Sequence, residues 1–185
     1  MNPNLNPCKP RKLAVLTVET HPFSPHPFPL VCTIRGSRPR LIFIRMKKLS
    51  DCRVLLVDDA KANLDILVEG LKSDHKLSLA LNGEMALQAA ARNPPDLVLL
   101  DIMMPGMDGY EVCRRLRQMP ETAEVPIMFL SSLEDVQNKT RGFEAGGNDY
   151  LTKPFEMLEV KARVRSLLKA KAYNDAAKEQ LAGEL

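Results

Sequence analysis

Leu97-Val98-Leu99-Leu100-Asp101-Ile102-Met103-Met104-Pro105-Gly106-Met107-Asp108-Gly109 is the stretch that decides the fold. Its four leading apolar residues read as a strand buried on both faces, as in the interior of a parallel sheet. Asp101 stands at the carboxyl end of that strand, and Pro105, Gly106 and Gly109 turn the chain into a helix predicted over Gly109–Gln118. Strand carboxyl ends are where ligands and chemistry collect in open α/β sheets. Alone, Asp101 could simply cap the next helix, so its meaning depends on what neighbouring strands bring to it.

Towards the N-terminus, Val54–Val57 reads as a buried strand ending in Asp58-Asp59, and Leu64, Leu67, Val68 and Leu71 fall at helical spacing through about Lys72. Leu77, Leu79 and Leu81 alternate with Ser78 and Ala80, which suits a less buried edge strand. Asn82-Gly83 then turns into an Ala-rich helix, Glu84 to Arg92, stopped by Pro94-Pro95. Towards the C-terminus, Ile127–Leu130 is a buried strand followed by Ser131-Ser132. Ser132 is expected to cap a helix running to about Ala145, closed by Gly146-Gly147. Asn148–Thr152 is a more polar fifth strand, and Lys153-Pro154 leads to a last helix from about Glu156. Five strands alternating with five helices through short loops predict a parallel sheet with right-handed crossovers.

Residues 1–45 differ from the rest, holding eight of the fourteen prolines. His21-Pro22-Phe23-Ser24-Pro25-His26-Pro27-Phe28-Pro29 blocks helix and sheet pairing alike, so extended or disordered chain is expected there. Met46-Lys47-Lys48-Leu49 offers an alternative start, and residues 1–45 are read as dispensable or an artefact of start-site choice, with a basic interaction tail as the alternative. The net charge of +3 is unevenly placed: residues 1–45 hold seven Lys/Arg and one Glu, leaving nineteen Lys/Arg and twenty-two Asp/Glu beyond. A mildly acidic globular part argues against direct nucleic-acid binding. No apolar run approaches the ~20 residues of a membrane span. Cys8, Cys32, Cys52 and Cys113 are scattered without C-x-x-C spacing and read as reduced thiols in a cytoplasmic protein.

Asp58, Asp59 and Asp101, Ser131 and Lys153 all follow strands, and in a doubly wound sheet of order 2-1-3-4-5 those strand ends lie side by side. Crowded carboxylates need a cation, and oxygen-only ligands favour Mg²⁺ or Mn²⁺ over zinc. With an ammonium and a hydroxyl added, such a site suits the oxygens of a transferring phosphoryl group.

VDD after the first strand, LLDIMMPGMDGYE around the third, FLSS at the fourth and DYLTKPF at the fifth together resemble the receiver domain of bacterial two-component response regulators. The resemblance covers about residues 52–170 and implies a flavodoxin-like α/β fold. It further implies a phosphoryl group taken from a histidine kinase or phosphotransfer protein onto Asp101, rather than turnover of a separate substrate. By position, Asp59 resembles the direct Mg²⁺ ligand and Asp58 the one acting through water, with the Met103 carbonyl completing the protein's share of the shell. Lys153 resembles the phosphoryl-contacting lysine, before a typically cis bond to Pro154. Ser131 resembles the switch hydroxyl and Tyr150 the aromatic that turns inward with it. The implied output is a shifted surface of fourth helix, fifth strand and fifth helix, acting on an effector domain or a second copy.

The domains expected are an extension over 1–45, a receiver over 46–170 and a helical linker or tail over 171–185. Leu167, Ala170, Asn174, Ala177 and Leu181 form a short candidate coiled-coil seam in that extended helix. A haloacid-dehalogenase-like phosphatase would need a second Asp where Met103 stands, and a flavodoxin would not place Asp58-Asp59 in its phosphate loop. A pseudo-receiver would lack an acidic or lysine position, and none is missing.

Overall fold

The computed structural model describes residues 30–32, 40–42, 47–131 and 142–183, with backbone alone for 30–32, 40–42 and 180–183. The chain divides into two units, Met1–Met46 and Lys47–Leu185. In the first, strands β1 (Leu30–Cys32) and β2 (Arg40–Ile42) pair antiparallel, with Val31 opposite Leu41. This ribbon departs from the expectation of extended or disordered chain through residue 45. The alternating prolines that motivated it stop at Pro29, before the ribbon begins.

The second unit is built on five parallel strands, β3 (Arg53–Val57), β4 (Lys76–Ala80), β5 (Leu97–Asp101), β6 (Ile127–Ser131) and β7 (Asp149–Thr152). Their spatial order is β4-β3-β5-β6-β7, the 2-1-3-4-5 arrangement of the flavodoxin-like fold. Every residue of β5 and β6 is buried, as expected of strands covered on both faces. One face presents Leu55, Val57, Val98, Leu100, Ile127 and Phe129 to α2 (Gly83–Arg92) and α3 (Gly109–Gln118). The other presents Val54, Leu56, Leu97, Leu99, Met128 and Leu130 to α1 (Lys61–Leu71) and the last helix, α4 (Met157–Gly183).

Local chemistry starts the helices. Asn82 accepts the Met85 amide at 2.9 Å to cap α2, and Asp108 accepts the Glu111 amide at 2.7 Å to cap α3. Ala60 cannot cap α1, and Asp58 Oδ1 takes the Ala60 amide at 2.9 Å instead. Of the helix predicted from Ser132 to Ala145, residues 132–141 lie outside the described residues, while 142–144 are helical. Gly146 follows at φ +100°, the left-handed conformation that ends helices.

Two elements carry the less buried apolar positions. β4 is the less buried edge strand expected: Leu77 is half-buried, Leu79 and the following Leu81 are exposed, and Ala80 is buried. On α4, the buried residues are Val160, Val164, Leu168, Ala172 and Ala176. Of the expected seam, Leu167 is half-buried, Ala170, Asn174 and Ala177 are exposed, and the Leu181 side chain lies outside the described residues.

Candidate functional site

Three strand ends converge at one edge of the sheet. Asp58 and Asp59 follow β3, Asp101 closes β5, and one carboxylate oxygen from each lies within 4.8 Å of the other two. Asp58 is fully buried and Asp101 nearly so, while Asp59 is exposed. Lys153, just past β7, reaches across to both buried acids, its Nζ 2.6 Å from Asp58 Oδ2 and 3.0 Å from Asp101 Oδ1. The bond it makes with Pro154 is cis, as the resemblance implied.

Electrostatics here is set by burial working against pairing. Burial pushes the Asp101 carboxyl above the ordinary carboxylate range, outweighing the bond from Lys153 that pulls it down. Burial also works against the charged form of Lys153, but its bonds to Asp58 and Asp101 prevail and raise its pKa. Lys153 therefore stays cationic between two carboxylates that repel each other.

Asp101 is held from behind by its own loop. The Gly109 amide donates to Ile102 O at 3.0 Å, and a Cβ on Gly109 would strike the Asp101 carbonyl oxygen. Met103, two residues beyond Asp101, has an exposed side chain in the same loop. Ser131 ends β6 fully buried, and its carbonyl accepts the Lys153 amide at 2.6 Å. Tyr150 on β7 is 9% exposed and belongs to the same buried cluster as Phe129 and Tyr110. Asp108 stands apart as the α3 cap.

Asn63, which the sequence places in the first turn of the first helix without pointing to a role, donates Nδ2 to both oxygens of Asp58 at 3.0 Å each. Its place in the first turn of α1, five residues after Asp58, was the available signal. Arg117 was also overlooked. It donates to Gly146 O, Thr122 O, Val125 O and Asn148 Oδ1, tying α3 to the entries of β6 and β7.

The response regulator receiver domain profile matches residues 54–165. The chain belongs to this family. As a receiver domain of two-component response regulators, it is 41% identical over 129 residues to response regulator PleD of Caulobacter vibrioides, covering 69% of this chain and 28% of PleD. It is also 41% identical over 118 residues to the DNA-binding dual master transcriptional regulator RpaA of Synechocystis sp., covering 63% of this chain and 49% of RpaA. Among solved structures, the Francisella response regulator 1452 receiver domain is 32% identical with TM-score 0.61, over 65% of this chain and 98% of that one. DrrB, a Thermotoga maritima OmpR/PhoB homolog, is 33% identical with TM-score 0.60, over 65% of this chain and 54% of DrrB. The receiver thus spans from about a quarter to half the length of these curated relatives. RpaA is named as a DNA-binding protein, which sets a limit on the expectation of no nucleic-acid contact drawn from charge. Among the described residues no helix is long and apolar enough to cross a membrane.

The donor set fits the cation that receivers bind. All three groups are carboxylates, no His or Cys joins them among the described residues, and hard oxygen donors suit Mg²⁺ or Mn²⁺.

Proposed function

We propose that this receiver accepts a phosphoryl group from a sensor histidine kinase or phosphotransfer protein on Asp101. The observation carrying this reading is the bridge that Lys153 makes between Asp58 and Asp101 beside Asp59. A carboxylate oxygen of Asp101 attacks phosphorus as the bond to the donor's imidazole nitrogen breaks. The imidazole leaves and takes up a proton. Lys153 turns its ammonium from carboxylate to phosphoryl oxygen, and Ser131 offers its hydroxyl to the same group. Asp59, Asp101 and the Met103 carbonyl would hold Mg²⁺, with Asp58 acting through water, and the bound cation would supply positive charge for the phosphoryl oxygens. Tyr150, on the strand between Ser131 and Lys153, couples the site to the surface of β7 and its flanking helices. The chain acts as a cytoplasmic phosphoacceptor and switch for an effector domain or second copy, and turns over no separate substrate.

The test supplies acetyl phosphate with Mg²⁺ and reads one added phosphoryl group by intact mass. Labelling is expected in the native chain and in Asp108→Asn, and lost in Asp101→Asn. Labelling that persists in Asp101→Asn would refute the assignment.

A further inference from the structure

Asp58 meets more hydrogen-bond donors than a freely coordinating carboxylate leaves room for. Its Oδ1 accepts the Ala60 amide at 2.9 Å and Asn63 Nδ2 at 3.0 Å. Its Oδ2 accepts the same Asn63 Nδ2 at 3.0 Å and Lys153 Nζ at 2.6 Å. An ionised carboxylate offers about four lone-pair directions, so each oxygen already holds two donors. Asn63 occupies the fork between the two oxygens, where a cation held by both would sit. Asn63 is half-buried on the third residue of α1, and Asp58 is fully buried.

We infer that Asn63 is a specificity-determining positioning residue: it keeps Asp58 out of direct coordination and so biases the acidic cluster towards Mg²⁺ over Ca²⁺. The inference rests on the reading of Asp58, Asp59 and Asp101 as the cation site. Mg²⁺ demands near-octahedral geometry, gives up water reluctantly and is held by one or two carboxylates. Ca²⁺ takes six to eight oxygens and gains from each further carboxylate. With Asp58 tied by Asn63, only Asp59 and Asp101 are left as direct carboxylate ligands, which is a Mg²⁺ count. Removing the amide frees the fork of Asp58 for a third direct carboxylate.

The experiment loads the full chain with Mn²⁺, follows free Mn²⁺ by its electron paramagnetic resonance signal, and displaces it with Mg²⁺ or Ca²⁺. The readout is the ratio of the two displacing concentrations, so it does not depend on phosphorylation. In Asn63→Ala this ratio is expected to move about tenfold in favour of Ca²⁺, the size of one charge-assisted hydrogen bond. Asn63→Leu, which keeps the volume without the donor, should move it the same way and decides the matter if the alanine variant does not fold. Equal weakening of both ions would mean that Asn63 merely holds the start of α1 together, and the inference falls. An unchanged ratio overturns it equally. If the native chain binds no Mn²⁺, the cation-site reading itself has failed, an outcome separate from any effect of Asn63.

Discussion

Asp101 costs the fold something. The folded state holds its proton more tightly than the unfolded chain does, because burial disfavours the carboxylate. Stability therefore falls as pH rises from the ordinary carboxylate range through the raised pKa, and the whole cost is present above it. Asp101→Asn in metal-free protein at neutral pH is expected to raise the unfolding temperature by a few degrees, read by calorimetry in EDTA. Asp108→Ala should do the reverse, losing about 1 kcal/mol with the α3 cap. Arg117→Lys replaces five donors by three where the native guanidinium meets four neutral acceptors, so denaturant unfolding should show a loss of about 2–3 kcal/mol.

At the scale of elements, the β5–α3 connection is packed backbone on backbone. A side chain on Gly109 meets the Asp101 carbonyl and Ile102 Cα, neither of which can swing aside as a side chain would. Gly109→Ala should lose about 2 kcal/mol or more and slow Asp101 labelling as well, since the strand end itself must shift. Readings from sequence succeeded where a pattern sees both its neighbours. Leu97–Leu100 and Ile127–Leu130 are apolar without interruption because helices cover both faces. The leucines of β4 alternate with smaller residues, and that strand lies at the sheet edge with little burial, as its pattern implies. The polar site was legible because its residues each follow a strand, and strand order then collects them. Asn63 was not, since its partner is fixed by a helix turning back on a loop.

For the molecule as a whole, we propose that residues 46–170 are a self-sufficient folding unit. Support comes from the division at Met46 and from the two apolar layers, whose last buried member on α4 is Leu168. A chain of 46–170 should unfold in one cooperative transition and label on Asp101. Its stability should drop modestly, because Ala172 and Ala176 are buried in the longer chain, while the exposed Lys178–Glu124 pair lost with them contributes little. Absence of a cooperative transition would place the boundary elsewhere. The two ends of β7 are anchored in unlike ways. Beyond Thr152 it delivers Lys153 to two buried carboxylates from other strands. At the other end Arg117 holds Gly146 O and Asn148 Oδ1, and Asp149 pairs with Arg163, whose side chain is partly exposed. Salt should therefore loosen the Arg163–Asp149 pair before it reaches the buried Lys153 contacts, leaving the reactive end of the strand in place while its outer mooring slackens.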